Sequence, residues 1–493
     1  MPKKIDEATT RRERLAQIQK LGIPAYPAKS ERSHTIAELA CDAENILKKK
    51  ASVIIVGRLR SVRAHGGSTF AHLEDGTGSF QIYLKQDEVG DEAYERFASL
   101  IDVGDFVQAT GTLFTTKRGE NTVLVSTWNL LAKAISPLPE TWHGLPDVEI
   151  RFRKRYLDLV SNPDVREVFV KRAKAVAAIR DFLNKHEYLE VETPLLQPIP
   201  GGANARPFVT HHNALDQDLY LQIAPELYLK RLIIGGYERV YTITRCFRNE
   251  GIDWSHNPEF SMLEFYQAYM DYEGMMDFTE DLVISIVKAV SATNTITYQG
   301  EKITFKKPFK RITFRQLLID YAHVDIEDYP DQKSMYQKTQ ELKLKDARKN
   351  DNRGKLCDEI YKEFARPKLI QPTFMIDHPV ELSPLSKKKP NDERYVERLQ
   401  LVAGGMEMVN AFSELNDPVD QLARFQDQQK NAKAGDEEAH PIDMDYIEAL
   451  EHGMPPTAGL GMGIDRLTGL LTDRKNIKEV ILFPTLRTKE EEA

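Results

Sequence analysis

The chain has 493 residues, 41% of them hydrophobic and 29% charged, with a formal net charge of −8. That balance excludes a disordered chain, and no apolar run reaches the roughly 18 residues of a membrane-spanning helix. The three cysteines, Cys41, Cys246 and Cys357, lie far apart with no CxxC pair, which excludes a disulfide scaffold or a cysteine zinc site and points to a cytosolic protein.

The first residues, MPKKIDEATTRRER, hold no apolar core for a secretory signal. Residues 1–32 carry eight basic side chains against four acidic ones, so residues 1–50 read as a helical segment whose basic face steers an anionic partner or is simply solvated. Strands are predicted over 52–63, 68–74, 79–85, 105–115 and 122–131, with a helix over 91–100 that places Tyr94, Phe97 and Leu100 on one face. Three strands, a helix and two strands is the order of a five-stranded barrel of the OB type, a fold that stacks single-stranded bases on aromatic side chains. A Pro-rich joint between 137 and 146 closes this domain, taken as 51–145.

The remainder, 146–493, opens with an amphipathic helix over 164–185 and a strand-like stretch over 188–193 before Pro194. Further strands are expected at 219–223, 239–248, 259–269, 373–376, 398–403, 407–415 and 457–463, with a polar helical insertion at about 330–368. Strands joined by hairpins, with helices between them, predict a mostly antiparallel sheet flanked by helices. The fold class is therefore α+β.

Three segments carry chemistry. In TRCFRNEGIDWSHNPEFSMLEFY the return strand places Phe260, Met262, Glu264 and Tyr266 on one face, while Arg248, Glu250 and His256 come from the strand end and loop. An Arg, two carboxylates, a His and an aromatic suit recognition of phosphate, amine and a flat base, or else form a structural ion-pair network. In GGMEMVNAFSELNDP, Asn410, Phe412 and Glu414 alternate along one face; Glu407 is either a surface residue or is turned inward by a bulge. In PPTAGLGMGIDRL, Gly459, Gly461 and Gly463 leave one strand face bare, so that a ligand can lie flat on the backbone beside Arg466. The glycine spacing fits neither a dinucleotide fingerprint nor a P-loop.

Together these segments resemble motifs one, two and three of class II aminoacyl-tRNA synthetases. PGGANARPF, IAPELYLKR, FRNEGI, HNPEF, NAFSELNDP and PPTAGLGMGIDR are more closely similar to the lysyl-tRNA synthetase family, and the likeness runs from about residue 13 to residue 487. The resemblance implies an enzyme that makes lysyl-adenylate from ATP and lysine, then charges tRNA(Lys), as a cytoplasmic homodimer using magnesium. It makes Arg248 and Arg466 catalytic, with Arg248 between the lysine carboxylate and the α-phosphate. Glu250 would read adenine, Phe260 and Arg466 sandwich it, and His256, Asn257 and Gly463 complete the ATP site. Glu226 and Gly202 would hold the α-ammonium, and Glu414 and Tyr266 the ε-ammonium; Glu264, Asn410, Phe412 and Gly461 line the rest. Phe70, Gln81 and Glu120 would read the central anticodon base, Phe70 by stacking.

One departure stands out. Glu407 matches a metal-binding glutamate of the family, but its usual acidic partner is Gln400 here, a neutral oxygen donor, which leaves the number of magnesium ions open. Within the class, aspartyl- and asparaginyl-type enzymes are disfavoured by Glu414 and Tyr266. A relative that adds lysine to a protein is disfavoured by the complete barrel. A non-catalytic RNA-binding paralogue is disfavoured by the presence of both Arg248 and Arg466.

Overall fold

The computed structural model describes residues 6–139, 145, 147–203, 205–433 and 441–488. Part of the Pro-rich joint, Lys3 and Lys4 of the basic segment, Asn204 of the Gly-Gly loop and the charged tail 489–493 lie outside the described residues. The chain divides into two compact units, Met1–Pro146 and Asp147–Ala493.

In the first unit, β1 (Ser52–His65), β2 (Ser68–Glu74), β3 (Ser79–Lys85), β4 (Phe106–Thr115) and β5 (Asn121–Ala132) close into a barrel of order β1-β2-β3-β5-β4. Strict alternation does the work: β2 buries Thr69, Ala71 and Leu73 and turns Phe70, His72 and Glu74 to the outer face. The helix Asp91–Leu100 buries Tyr94, Phe97 and Leu100, the face read from the sequence. The helices Glu7–Lys20, Ile36–Cys41 and Ala43–Lys49 add Ile18, Ile36, Leu39 and Ile46 to the barrel core. Two charges of the basic helix are therefore spent internally. Arg11 donates to the Val103 and Ala134 carbonyls at 3.0 and 3.3 Å, and Arg14 pairs with Asp102.

The second unit is built on a nine-stranded sheet. Its strands are β6 (Leu189–Glu190), β7 (Arg239–Phe247), β8 (Glu259–Ala268), β9 (Lys310–Thr313), β10 (Thr373–Pro379), β11 (Asp392–Ala403), β12 (Met406–Ser413) and β13 (Thr457–Gly463). They run in the order β9-β10-β11-β12-β13-β8-β7-β6, with Lys388–Lys389 paired to β11 as the ninth. Only the edge pairs β9/β10 and β7/β6 are parallel. Leu263, Phe265, Val409, Ala411, Leu460 and Met462 share one sheet face with the helices Pro163–Lys185, Tyr272–Ser291 and Ile464–Leu471 in the main core. The opposite face carries the polar residues of β8 and β12.

Several expectations shift. The stretch after the first long helix forms only the two-residue β6, and Val209–His212, Lys310–Thr313 and the Thr295–Tyr298/Glu301–Thr304 hairpin are strands that the sequence pattern did not announce. Such four-residue strands are too short for periodicity to register; Val209–His212 is exposed along its whole length. The insertion forms Gln332–Glu341 and Arg353–Ile360, and Leu356, Cys357 and Ile360 pack on Phe314, Leu317 and Leu318 in a core of their own.

Candidate active site

The sheet register assembles the site. Gly461 of β13 sits between Asn410 of β12 and Glu264 of β8, and Gly459 sits between Phe412 and Tyr266. Removing side chains from the middle strand lets its neighbours lean across it. A Cβ at Gly459 would collide with Glu414 and with the Tyr266 ring, and one at Gly461 would come within 2.7 Å of the Met262 methyl. The expectation of a bare backbone shelf is therefore corrected. The trough at Gly459 is filled by the protein's own side chains, while Gly461 and Gly463 border open space.

That space is a cavity of about 510 Å³, bordered by Arg248, Glu250, His256, Asn257, Phe260, Glu407, Asn410, Gly461, Gly463 and Arg466. The Arg248 guanidinium stands over the Phe260 ring, 5.1 Å from its centroid, and its Nε is buried without a hydrogen-bond partner among the described residues. Here it is Arg248 that stacks on Phe260, whereas Arg466 lies alongside Gly463. Asp465 anchors the start of the helix Ile464–Leu471 by accepting the Ser261 N–H at 2.8 Å and pairing with Arg172 at 2.5 Å. His256 bonds Asp253 at 2.9 Å; although burial opposes it, this bond and those from Ser255 hold the Asp253 carboxyl down at about 2. A neighbouring cavity of about 930 Å³ shares His256, Glu407 and Arg466 and is edged by Lys345, Lys362, Arg366 and Arg474. Its basic rim suits a polyphosphate tail.

Glu407 does face inward. The pairing jumps from Val402–Glu407 to Leu401–Val409, so a bulge on β12 turns the carboxylate toward the cavity. Gln400 lies beside it and donates its amide N–H to Glu407 Oε2 at 3.1 Å. Gln400 thus braces Glu407 through its amide nitrogen. Among the described residues no group of three or more His, Cys, Asp or Glu side chains is placed to hold a metal ion. The Glu407 carboxylate would suit a magnesium ion that arrives with nucleotide phosphates.

A second cavity, about 270 Å³, is bordered by Gly202, Glu226, Arg248, Arg398, Asn410 and Phe412. Arg248, Arg398 and Asn410 border both this cavity and the 510 Å³ one. Gly202, at φ +86°, is required here, since a Cβ would sit 3.3 Å from the Glu226 Cβ in a conformation that L side chains rarely adopt. Glu264, Tyr266 and Glu414 do not border the cavity and are buried beside Glu226. Tyr266 donates to Glu264 at 3.2 Å, and burial pushes the Glu264 and Glu414 carboxyls well above the usual range. The cation among them is Lys230, completely buried, which bonds Glu226 at 2.6 Å and pairs with Glu414.

On the barrel, Phe70 stacks on Tyr83 with centroids 4.3 Å apart, and Tyr83 tilts against Phe114 at 5.9 Å. Gln81 donates to Glu120 at 2.9 Å and accepts from Thr122 at 2.8 Å. Phe70, Gln81 and Glu120 thus share one outward patch with His72, whose ring lies 3.5 Å from Glu120.

Residues 147–487 match the family model of class II tRNA synthetases (D, K and N). The chain belongs to the class II tRNA synthetases. Residues 53–131 match the OB-fold nucleic acid binding domain. The lysine–tRNA ligase of Carboxydothermus hydrogenoformans is 50% identical over 480 residues, covering 97% of this chain and 98% of that one. Those of Chloroflexus aurantiacus and Moorella thermoacetica are 49% and 47% identical, each covering 99% of both chains. No helix among the described residues is long and apolar enough to cross a membrane.

Within this synthetase site, sequence reasoning missed Lys230 and Arg398. Lys230 lies four residues after Glu226 on one helix, the spacing at which an acid and a base meet, and that was the available signal. Arg398 shares a strand face with Gln400 and donates to Asn410 at 2.8 Å. Tyr83 and Phe114 were also missed, although each sits on the outward phase of its strand.

Proposed function

We propose that the chain is a lysine–tRNA ligase, which activates lysine with ATP as lysyl-adenylate, releases pyrophosphate and esterifies the 3′ end of tRNA(Lys). The observation that carries this is Arg248, common to a small cavity bordered by Glu226 and a nucleotide-sized one, with a buried Nε that has no hydrogen-bond partner among the described residues. An anion reaching that guanidinium from each side brings an amino-acid carboxylate against an α-phosphate. The carboxylate oxygen attacks phosphorus and pyrophosphate leaves, so the chain needs to supply charge and orientation and no nucleophile. Arg466 and His256 suit the outer phosphates, and Phe260 and Glu250 the base. A magnesium ion arriving with ATP would be held by Glu407 and would neutralise phosphate charge.

Buried carboxylates fit a ligand with two ammonium groups and repel an acidic side chain, which supports lysine over aspartate. The outward Phe70–Tyr83 stack supports anticodon binding by the barrel. Exposed Leu195, Leu196 and Val209 support a homodimer, checked by light scattering. ATP–pyrophosphate exchange with each amino acid in turn tests the whole reading. Lysine alone is expected to drive exchange, and equal stimulation by aspartate or asparagine overturns it.

A further inference from the structure

Lys230 is a buried charge beside the site that the proposed chemistry does not use. It projects from the helix Glu226–Ile234, is completely buried, and its ammonium lies 5.4 Å from the centroid of Phe412, a ring that borders the small cavity. Its Nζ bonds Glu226 Oε1 at 2.6 Å and pairs with Glu414 Oε2, while Glu414 Oε1 is buried with no hydrogen-bond partner among the described residues. The other groups around it are Glu264 and Tyr266 from β8 and Tyr446 from the helix Met444–Glu451, with Arg231 and Arg398 at the margin. Arg231 is engaged with Asp443 at 2.7 Å, and Arg398 with Asn410.

We propose that Lys230 is a specificity-determining positioning residue, whose ammonium braces Glu226 and keeps Glu414 charged in the empty pocket, and so reserves them for a substrate bearing two ammonium groups. This rests on the lysine reading above. Three buried carboxyl groups, Glu226, Glu264 and Glu414, surround the Lys230 ammonium, so the cluster holds more acidic groups than Lys230 alone can pair. Without an internal cation, carboxyls this buried take up protons near neutral pH and become hydrogen-bonding groups with no preference for a cation. Burial and Glu226 raise the Glu414 carboxyl, and Lys230 is the group that pulls it back. Burial in turn works against the Lys230 charge, yet Glu226 and Glu414 together hold it above the usual lysine value, as anionic partners must. Lys230 occupies one oxygen of Glu414 and leaves the other without a partner among the described residues.

The test is lysine-dependent ATP–pyrophosphate exchange by the full-length enzyme and by Lys230→Met, from about pH 6 to about pH 8.5 at saturating ATP. The native lysine KM is expected to stay nearly level. In Lys230→Met it should rise at least about tenfold at neutral pH and fall about tenfold per pH unit on the alkaline side, as one carboxyl ionises. The KM for ATP should be unchanged, and Lys230→Arg should restore the level profile. A pH-independent rise would mean that Lys230 only fills space, and a lower KM would mean that it competes with the substrate; either overturns the proposal. If Lys230→Met does not fold, carbon-13 spectra of native enzyme labelled at glutamate carboxyls decide. The signal lost in Glu414→Gln should be that of a carboxylate at pH 7, and a carboxylic acid there overturns the proposal. A native enzyme indifferent to lysine would instead sink the lysine reading itself.

Discussion

Glu414→Gln keeps the side chain's volume and removes its charge. Glu414 is 1% exposed, so no water replaces the lost partner, and it pairs with Lys230 behind the small cavity, beside Glu226. Removing one member of a buried ion pair costs about 3–5 kcal/mol, and each 1.4 kcal/mol or so is a factor of ten in affinity. Lys230 keeps its bond to Glu226, which softens its share of the penalty, whereas a ligand ammonium entering the variant meets only neutral groups on that side. The expected outcome is a lysine KM raised by about two orders of magnitude, read by ATP–pyrophosphate exchange. The KM for ATP should hold, because Arg248, Phe260 and Arg466 border the other cavity. Norleucine, with lysine's stem and no ammonium, should be rejected by the native enzyme and discriminated less by the variant. An unaltered lysine KM would refute the reasoning and move the reader of the ε-ammonium to Glu264.

Phe70→Ala should weaken tRNA charging by roughly 1–3 kcal/mol of binding, the worth of one base–aromatic stack, with exchange intact because Phe70 is on the barrel's outer face; an equal collapse of exchange would make it a core residue. Gln400→Glu places a second carboxylate beside Glu407 and should lower the magnesium concentration for half-maximal exchange; manganese binding followed by electron paramagnetic resonance should rise in parallel, and no change in either would separate Gln400 from the metal. Gly459→Ala drives a methyl into Glu414 and Tyr266, with an expected cost of about 1–3 kcal/mol in stability and loss of lysine-dependent exchange, measured by melting and kinetics.

The barrel was legible because its strands are long enough for alternation to register: β2 and β3 run as expected to the residue. The faces of β8 and β12 were legible for the same reason, and so Glu264, Tyr266, Asn410 and Phe412 could be grouped before any coordinates. What pattern does not carry is register between strands. Only pairing Gly459 with both Phe412 and Tyr266 shows that the glycine makes room for protein side chains, and only the shift at Val402 shows which way Glu407 points. The partner of Glu414 was hidden for a related reason. Lys230 lies nearly two hundred residues away on a helix, and sequence spacing tied it to Glu226 alone.

The two cavities that share Arg248 use charge in opposite ways. The nucleotide side presents cations that are half-exposed or cavity-lining, namely Arg248, His256 and Arg466, where solvent softens each interaction and several must act together on a polyphosphate. The amino-acid side sets Glu264, Glu414 and Lys230 in full burial, where each interaction is strong and each unpaired charge is costly. A partly screened site tolerates exchange of ATP for AMP and pyrophosphate during turnover. A fully buried one penalises any side chain whose charge count is wrong. Discrimination among amino acids therefore belongs on the side where Gly459 and Lys230 exclude water, and turnover on the side where Arg466 meets it.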